Sequence, residues 1–244
     1  MKLISTNRLI FLIIFIIITI YIQNIITSFD IFFIFNSPCD RKLFVDNKNN
    51  KLNPLLWERP EQYFITKYVS SSDCVLELGG RYGLSSYCIQ NKLINKKLHL
   101  VVEPDKSVIV ALDKNIRNNY MECDVFNGVI SSNSKGIVHS GLGTYTYNYK
   151  DNGSDNGSDN SSDIEFKSLY SLELGTKFNT IVVDCEGCFV EFFKEKINYI
   201  LENITTIILE NDRINHNEIL NILVNNNFKI VENYFNHMII LLKD

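Results

Sequence analysis

A short apolar strand that runs into glycines and then into a helix leaves a chain few ways to fold. This sequence has such a passage at Cys74–Gly83, CVLELGGRYG. Glycine adopts backbone dihedrals closed to other residues and lets a ligand or a second backbone come close. Downstream, apolar segments alternate with segments of helical period. Strands are predicted at Leu98–Val102, Thr180–Val183 and Thr206–Leu209, and helices at Leu84–Leu93, Ser107–Asn115, Phe189–Leu201 and Asn217–Asn225. Such alternation builds parallel βαβ units whose sheet is covered on both faces. Phe228–Glu232 and Met238–Leu242 follow each other across a short loop, so the last strand is expected to run antiparallel. The expected fold is α/β, a mostly parallel sheet with an antiparallel last strand.

Before this domain the chain is a different material. Residues 9–29 read LIFLIIFIIITIYIQNIITSF, without a charge, and that length suits a helix crossing the hydrocarbon core. It lacks the small-residue cleavage site of a secretory signal. The expectation is one transmembrane anchor at 9–29 after a short tail at 1–8, then a polar stalk at 30–56 and a domain at 57–244. Lys2 and Arg8 favour a cytoplasmic amino terminus, and Arg41 and Lys42 on the other side reduce that bias. The domain is then lumenal or external, and Asn152, Asn156, Asn160 and Asn203 become glycosylation candidates. Within the domain, residues 148–164 hold a repeated Asp/Asn/Gly/Ser tract that cannot build a core and reads as an insertion. Between Met121 and Tyr147 the pattern suggests hairpin strands, Met121–Ser131 against Gly136–Tyr147, and a short helix is expected at Phe166–Leu172. The net charge of -4 and scattered basic residues supply no nucleic-acid footprint, so no nucleic acid is expected as partner.

Three places carry acidic chemistry at strand ends. The turn Glu77–Gly83 does not fit the dinucleotide spacing, because Tyr82 and Leu84 stand where glycines are needed. Its spacing suits a ligand without pyrophosphate, such as S-adenosylmethionine, whose ammonium Glu77 could accept; a plain tight turn with packing glycines is the alternative. Glu103 ends the next strand, and one carboxylate can accept both hydroxyls of a ribose. Alone, it could equally be an acid that starts the following helix. Asp184 and Glu186 close VVDCEG and suit general-base work or sulfonium stabilisation, with a metal role or a helix cap as alternatives. Glu210-Asn211-Asp212 is a further acidic lip of lower specificity. The four histidines read as structural or exposed. Cys39, Cys74, Cys88 and Cys123 read as packed thiols, and the C-x-x-C at Cys185 and Cys188 as incidental.

Taken in order, ELGGRYG, VVEPD, NGVIS, VVDCEG and IILEND resemble the FkbM-type methyltransferases from about Trp57 to the carboxyl terminus. The resemblance implies a Rossmann-like class I methyltransferase fold and S-adenosylmethionine-dependent transfer of a methyl group to a hydroxyl of a glycan or small molecule. It places Glu77, Gly79, Gly80 and Gly83 at the cofactor turn and Glu103 at the ribose. Asn127 and Gly128 fall near the adenine, and Asp184 and Glu186 at the reaction centre. The sequence departs from the family's K-x-D-x-E-G-x-E pattern: Val182 stands for the lysine and Phe189 for the last glutamate. A catalytically inactive Rossmann-like module that binds cofactor or a protein is the alternative. A type II membrane glycosyltransferase lacks a convincing D-x-D outside the tract.

Overall fold

The computed structural model describes residues 15, 17–19, 37–131, 136–140, 143–147, 164–185, 187–211 and 216–244. The chain divides into two compact units, Met1–Asn36 and Ser37–Asp244. In the first, Phe15, Ile17, Ile18 and Thr19 are helical and exposed, and the Thr19 hydroxyl donates to the carbonyl of Phe15 at 2.8 Å. Most of the expected anchor at 9–29 lies outside the described residues. Among the described residues no helix is long and apolar enough to cross a membrane.

The second unit contains, in chain order, β1 (Phe44–Val45), β2 (Lys51–Leu52), α1 (Arg59–Tyr68), β3 (Val75–Leu78), α2 (Leu84–Lys92), β4 (His99–Val102) and α3 (Lys106–Asn118). There follow β5 (Asp124–Phe126), β6 (Gly128–Ile130), β7 (Gly136–Ser140), β8 (Gly143–Tyr147), β9 (Glu165–Lys167) and a 3-10 turn at Leu169–Leu172. Last come β10 (Thr180–Val183), α4 (Phe189–Asn203), β11 (Thr206–Glu210), α5 (Asn217–Asn225), β12 (Phe228–Tyr234) and β13 (Met238–Lys243).

Seven strands form one sheet in the order β12-β13-β11-β10-β3-β4-β5. The five from β11 to β5 run parallel, and β13 lies antiparallel between β11 and β12. The antiparallel last strand inserted beside its predecessor gives the sheet the layout of a Rossmann-like methyltransferase fold. The strand order reverses at β3 and β10, so the crevice past their carboxyl ends is where an open α/β sheet takes a ligand.

Burial on both faces explains why these strands read as continuous apolar runs. Leu76, Leu78, Leu100, Val102, Ile181, Val183, Ile207 and Leu209 join Phe189, Phe193 and Ile200 of α4 and Leu223 of α5 in one core. The alternate residues Val75, Val101, Val182 and Ile208 are equally buried; α1 packs on α2, β11 and β13, and α2 on β4. α3 begins at Asp105, whose carboxylate accepts the amide of Ser107 at 2.8 Å, a side-chain N-cap.

Three expectations change. Met121–Ser131 is not half of a hairpin: β5 joins the main sheet beside β4, and β6 pairs in parallel with β9. The hairpin lies wholly within 136–147, between β7 and β8. The short helix expected from Phe166 is a strand, β9, followed by the 3-10 turn, because β6 offers a free edge. Residues 37–56, expected as a stalk, belong to the folded unit: Cys39 and Phe44 are completely buried. The Asn115 side chain explains part of this. It accepts from the Val45 amide at 3.0 Å and donates to the carbonyls of Val45 and Tyr82, each at 2.9 Å. The tract at 151–163 lies outside the described residues.

Candidate functional site

At the carboxyl ends of β3, β4 and β10 the structure forms a cleft, open at its mouth. Gly79, Arg81 and Tyr82 line it from the turn, and Glu103, Pro104 and Asp105 from the end of β4. Gly128–Ser131 close another side, and Asp184, Cys185, Cys188, Glu191, Phe192 and Glu195 the remaining one.

Two glycines of the turn are required by the protein's own packing, one against backbone and one against a side chain. Gly79 has φ +95°, and a β-carbon there would sit 1.8 Å from the carbonyl oxygen of Asp184. The end of β10 therefore closes directly over the turn, and the Asp184 amide donates to the carbonyl of Leu78 at 2.9 Å. At Gly80 a β-carbon would meet the Val101 side chain at 2.2 Å. The tightness of the turn also forces Arg81 to φ 38°, a conformation uncommon outside glycine.

Glu103 is the best-built side chain of the cleft. It is 6% exposed, its Oε2 accepts the amide of Arg81 and its Oε1 that of Asp105, both at 2.8 Å. Burial pushes its carboxyl up to about 7, against the pull of those two amides downward. Each oxygen accepts one N–H and keeps a lone pair for another donor, so the carboxylate can take two hydroxyls at once. Asn127 does not line the cleft; its side-chain amide donates to the Glu103 carbonyl at 2.6 Å and so fixes where β4 ends. Gly128 lines it, and a β-carbon there would lie 2.3 Å from the carbonyl of Glu165 on β9.

Glu77 is not on the cleft wall. Its side chain is 1% exposed, with Oε2 3.0 Å from His99 Nε2 and accepting from the Ser86 hydroxyl at 2.7 Å. Strand alternation explains this: Leu76 and Leu78 enter the core on the α4 side, so Glu77 faces α2. Its Oε1 has no hydrogen-bond partner among the described residues. The expected ammonium acceptor is thus a buried anchor between β3, β4 and α2. Gly83 also stays off the wall and serves as the N-cap of α2, with φ 83°.

Asp184 lines the cleft, whereas Glu186 lies outside the described residues. Cys185 and Cys188 are joined in a disulfide that closes the loop after β10, so the pair is not incidental. The positions that depart from the family pattern are core: Val182 is 2% exposed, and Phe189 is fully buried against Phe192 and Phe193. Glu210 does not reach the cleft wall; it lies 3.5 Å from His237, which is 3.8 Å from Glu61.

The sequence reading missed several groups. The Arg81 guanidinium lies over the rings of Trp57 and Tyr82, 5.5 and 5.4 Å from their centres. From the β1–β2 turn, Asn47 reaches the cleft and accepts the Tyr82 hydroxyl at 3.4 Å. Glu58 precedes α1 at φ 51° and accepts from the Ser85 hydroxyl at 3.2 Å. Burial, then the charges of Asp184 and Glu61, hold its carboxyl well above the usual range. A left-handed, charge-perturbed residue leaves no trace in a one-dimensional pattern. Only Pro60, two residues on, marks the start of a helix there.

No protein-family model matches this chain, and no curated protein does. Among solved structures it is similar to an uncharacterized protein from Listeria monocytogenes serotype 4b, with 14% identity over 78% of this chain and 68% of that one, at TM-score 0.49. It is also similar to a protein in the NADB-Rossmann superfamily from Streptococcus agalactiae, with 14% identity over 73% and 64% of the two chains, at TM-score 0.45. A third is a ribosomal protein methylase from Lactobacillus delbrueckii subsp. bulgaricus, with 12% identity over 76% and 78%, at TM-score 0.47. Likenesses this distant say nothing of ligand or acceptor, and the fold class rests on the strand order of the sheet itself.

Proposed function

We propose that the domain is an S-adenosylmethionine-dependent methyltransferase that methylates a hydroxyl on a glycan or small molecule, as the FkbM-type resemblance implies. The observation that carries the reading is Glu103, a buried carboxylate at the end of β4 with capacity for two more donors, beside a glycine turn. The residues present fit the cofactor. Glu103 would accept the ribose diol, while Val129, Ile130 and Phe192 offer apolar wall to an adenine. When bound, the cofactor supplies the methyl group for an in-line displacement, in which positioning matters more than covalent help from the protein. Asp184 faces the same space from β10 and can take the proton of an acceptor hydroxyl.

Charge favours a neutral acceptor over a polyanion. Among the described residues, Glu103, Asp105, Asp184, Glu191 and Glu195 line the cleft with Arg81 as the one lining cation, while Glu191 and Glu195 pair with Lys194 and Lys196 behind it. A phosphate backbone would meet repulsion there, and phosphate contacts dominate nucleic-acid affinity. Anchoring through residues 9–29, with the domain lumenal or external, belongs to the same reading; the anchor rests on the length and lack of charge of that run and the orientation on Lys2 and Arg8 before it. Its check is protease protection in sealed microsomes.

Calorimetry of the full chain with S-adenosylmethionine tests the reading. Glu103→Ala should weaken binding by roughly 10- to 100-fold, the scale of hydrogen bonds to a charged acceptor. No binding by the unaltered chain, or affinity unchanged in the variant, overturns it. One observation favours a second reading, a module that binds cofactor without turnover: Val182 and Phe189 are core residues where the family pattern has a lysine and a glutamate. Binding without a methylated product across a panel of hydroxyl acceptors would support it, and any methylated product removes it.

A further inference from the structure

The segment after Asn36 is a strap laid over the helix that follows the glycine turn. Phe44 meets Tyr87 of α2 edge-on, with ring centres 6.0 Å apart, and Lys42 lies over the same ring at 5.2 Å. Asp40 pairs with Arg59 of α1 at 2.6 Å. At the centre of the strap, Cys39 and Cys88 are both fully buried with their sulfurs 3.4 Å apart. Cys39 Sγ donates to the carbonyl of Leu84, the first residue of α2, at 3.3 Å, and Ser37 Oγ lies 3.7 Å from Cys88 Sγ. The sulfurs touch across 49 residues of chain, and a disulfide needs them at about 2.05 Å.

We propose that Cys39 and Cys88 form a disulfide that fastens the strap to α2. This site is independent of the cofactor reading, and it suits the same oxidising surroundings as the bonded Cys185–Cys188. The oxidant is a small or protein disulfide, such as oxidised glutathione. One thiolate of the pair attacks it, forms a mixed disulfide and releases one thiol. The other thiolate then attacks the sulfur bound to the chain and releases the second thiol. Two protons leave the cysteines, two electrons pass to the oxidant, and its disulfide is reduced to two thiols. Because neither sulfur reaches solvent once the strap is down, the bond forms while the strap is undocked, during folding.

The full chain is unfolded under reductant, refolded in a buffer of reduced and oxidised glutathione, and quenched with N-ethylmaleimide. Peptides are then mapped by mass spectrometry without reduction. The expected result is a cross-linked peptide pair holding Cys39 and Cys88, lighter by two hydrogens than the two thiol peptides. Alkylation of both cysteines in the folded product, or pairing of Cys39 with Cys74 or Cys123, overturns the proposal. A second reading follows from stability: the bond should raise the melting temperature by roughly 5–10 °C over the reduced chain. In Cys39→Ser/Cys88→Ser only the share owed to Cys185–Cys188 should remain. If the double variant does not fold, the peptide map of the unaltered chain still decides.

Discussion

Glu103 joins burial, charge and ligand capacity in one side chain, and its protonation gives the domain a pH dependence with a definite sign. Its carboxyl rises from 4.5 to about 7 in the folded chain, so the folded state holds this proton more tightly than the unfolded one. The stabilisation is fully present below about pH 4.5 and is lost as pH rises through 7, a change on the order of 3 kcal/mol. Cofactor affinity should run the other way, strengthening from pH 6 to 8 as the ionised carboxylate becomes able to accept two hydroxyls. Glu103→Gln should flatten both curves, measured by urea unfolding and by calorimetry across that range. Gly79 makes a different prediction. Gly79→Ala places a β-carbon 1.8 Å from the Asp184 carbonyl in a left-handed conformation, so it should cost about 3 kcal/mol or more. Cleft geometry should be lost with it, as seen by thermal melting and cofactor titration.

Individual elements are held by a few polar side chains that span between them. Asn115 of α3 bonds both backbone groups of Val45 and the carbonyl of Tyr82, tying strap, helix and glycine turn together. Asn115→Ala leaves three buried backbone groups unpaired and should cost about 3 kcal/mol or more. Because Tyr82 lines the cleft, cofactor affinity should fall along with stability in denaturant titrations. The buried Glu77–His99 contact ties β3 to β4 and, through Ser86, to α2. Glu77→Ala should destabilise the fold by about 2 kcal/mol, with a smaller effect on affinity than Glu103→Ala, since Glu77 does not touch the cleft.

Across the whole molecule, the sheet depends on the last strand of the chain. β13 pairs with β11 on one side and β12 on the other, and Met238, Ile239, Ile240 and Leu241 are fully buried. Removing residues 238–244 unpairs two neighbours and strips the core beneath them, so the truncated chain should lose cooperative unfolding by circular dichroism. Little of this depends on surface ion pairs. Lys67–Glu232, the shortest ion pair among the described residues, is partly exposed on both sides, and pairs of that kind contribute about 1 kcal/mol or less.

What the sequence alone determined was written in periods and punctuation. Alternating strands and helices, the glycines after β3 and the closing hairpin were enough for the α/β sheet and its antiparallel last strand, because those signals are local. Glu103 and Asp184 were legible as cleft residues for the same reason: each ends a parallel strand, and strand ends converge on one rim. Tertiary structure alone decided which way the other side chains point. It turned Glu77 inward, since a strand buried on both faces gives each neighbour to an opposite layer. It drew residues 37–56 out of the expected stalk, since Phe44, Cys39 and Val45 find their partners tens of residues downstream. It also assigned Gly79 to the approach of Asp184, a contact between segments about a hundred residues apart that no local pattern records.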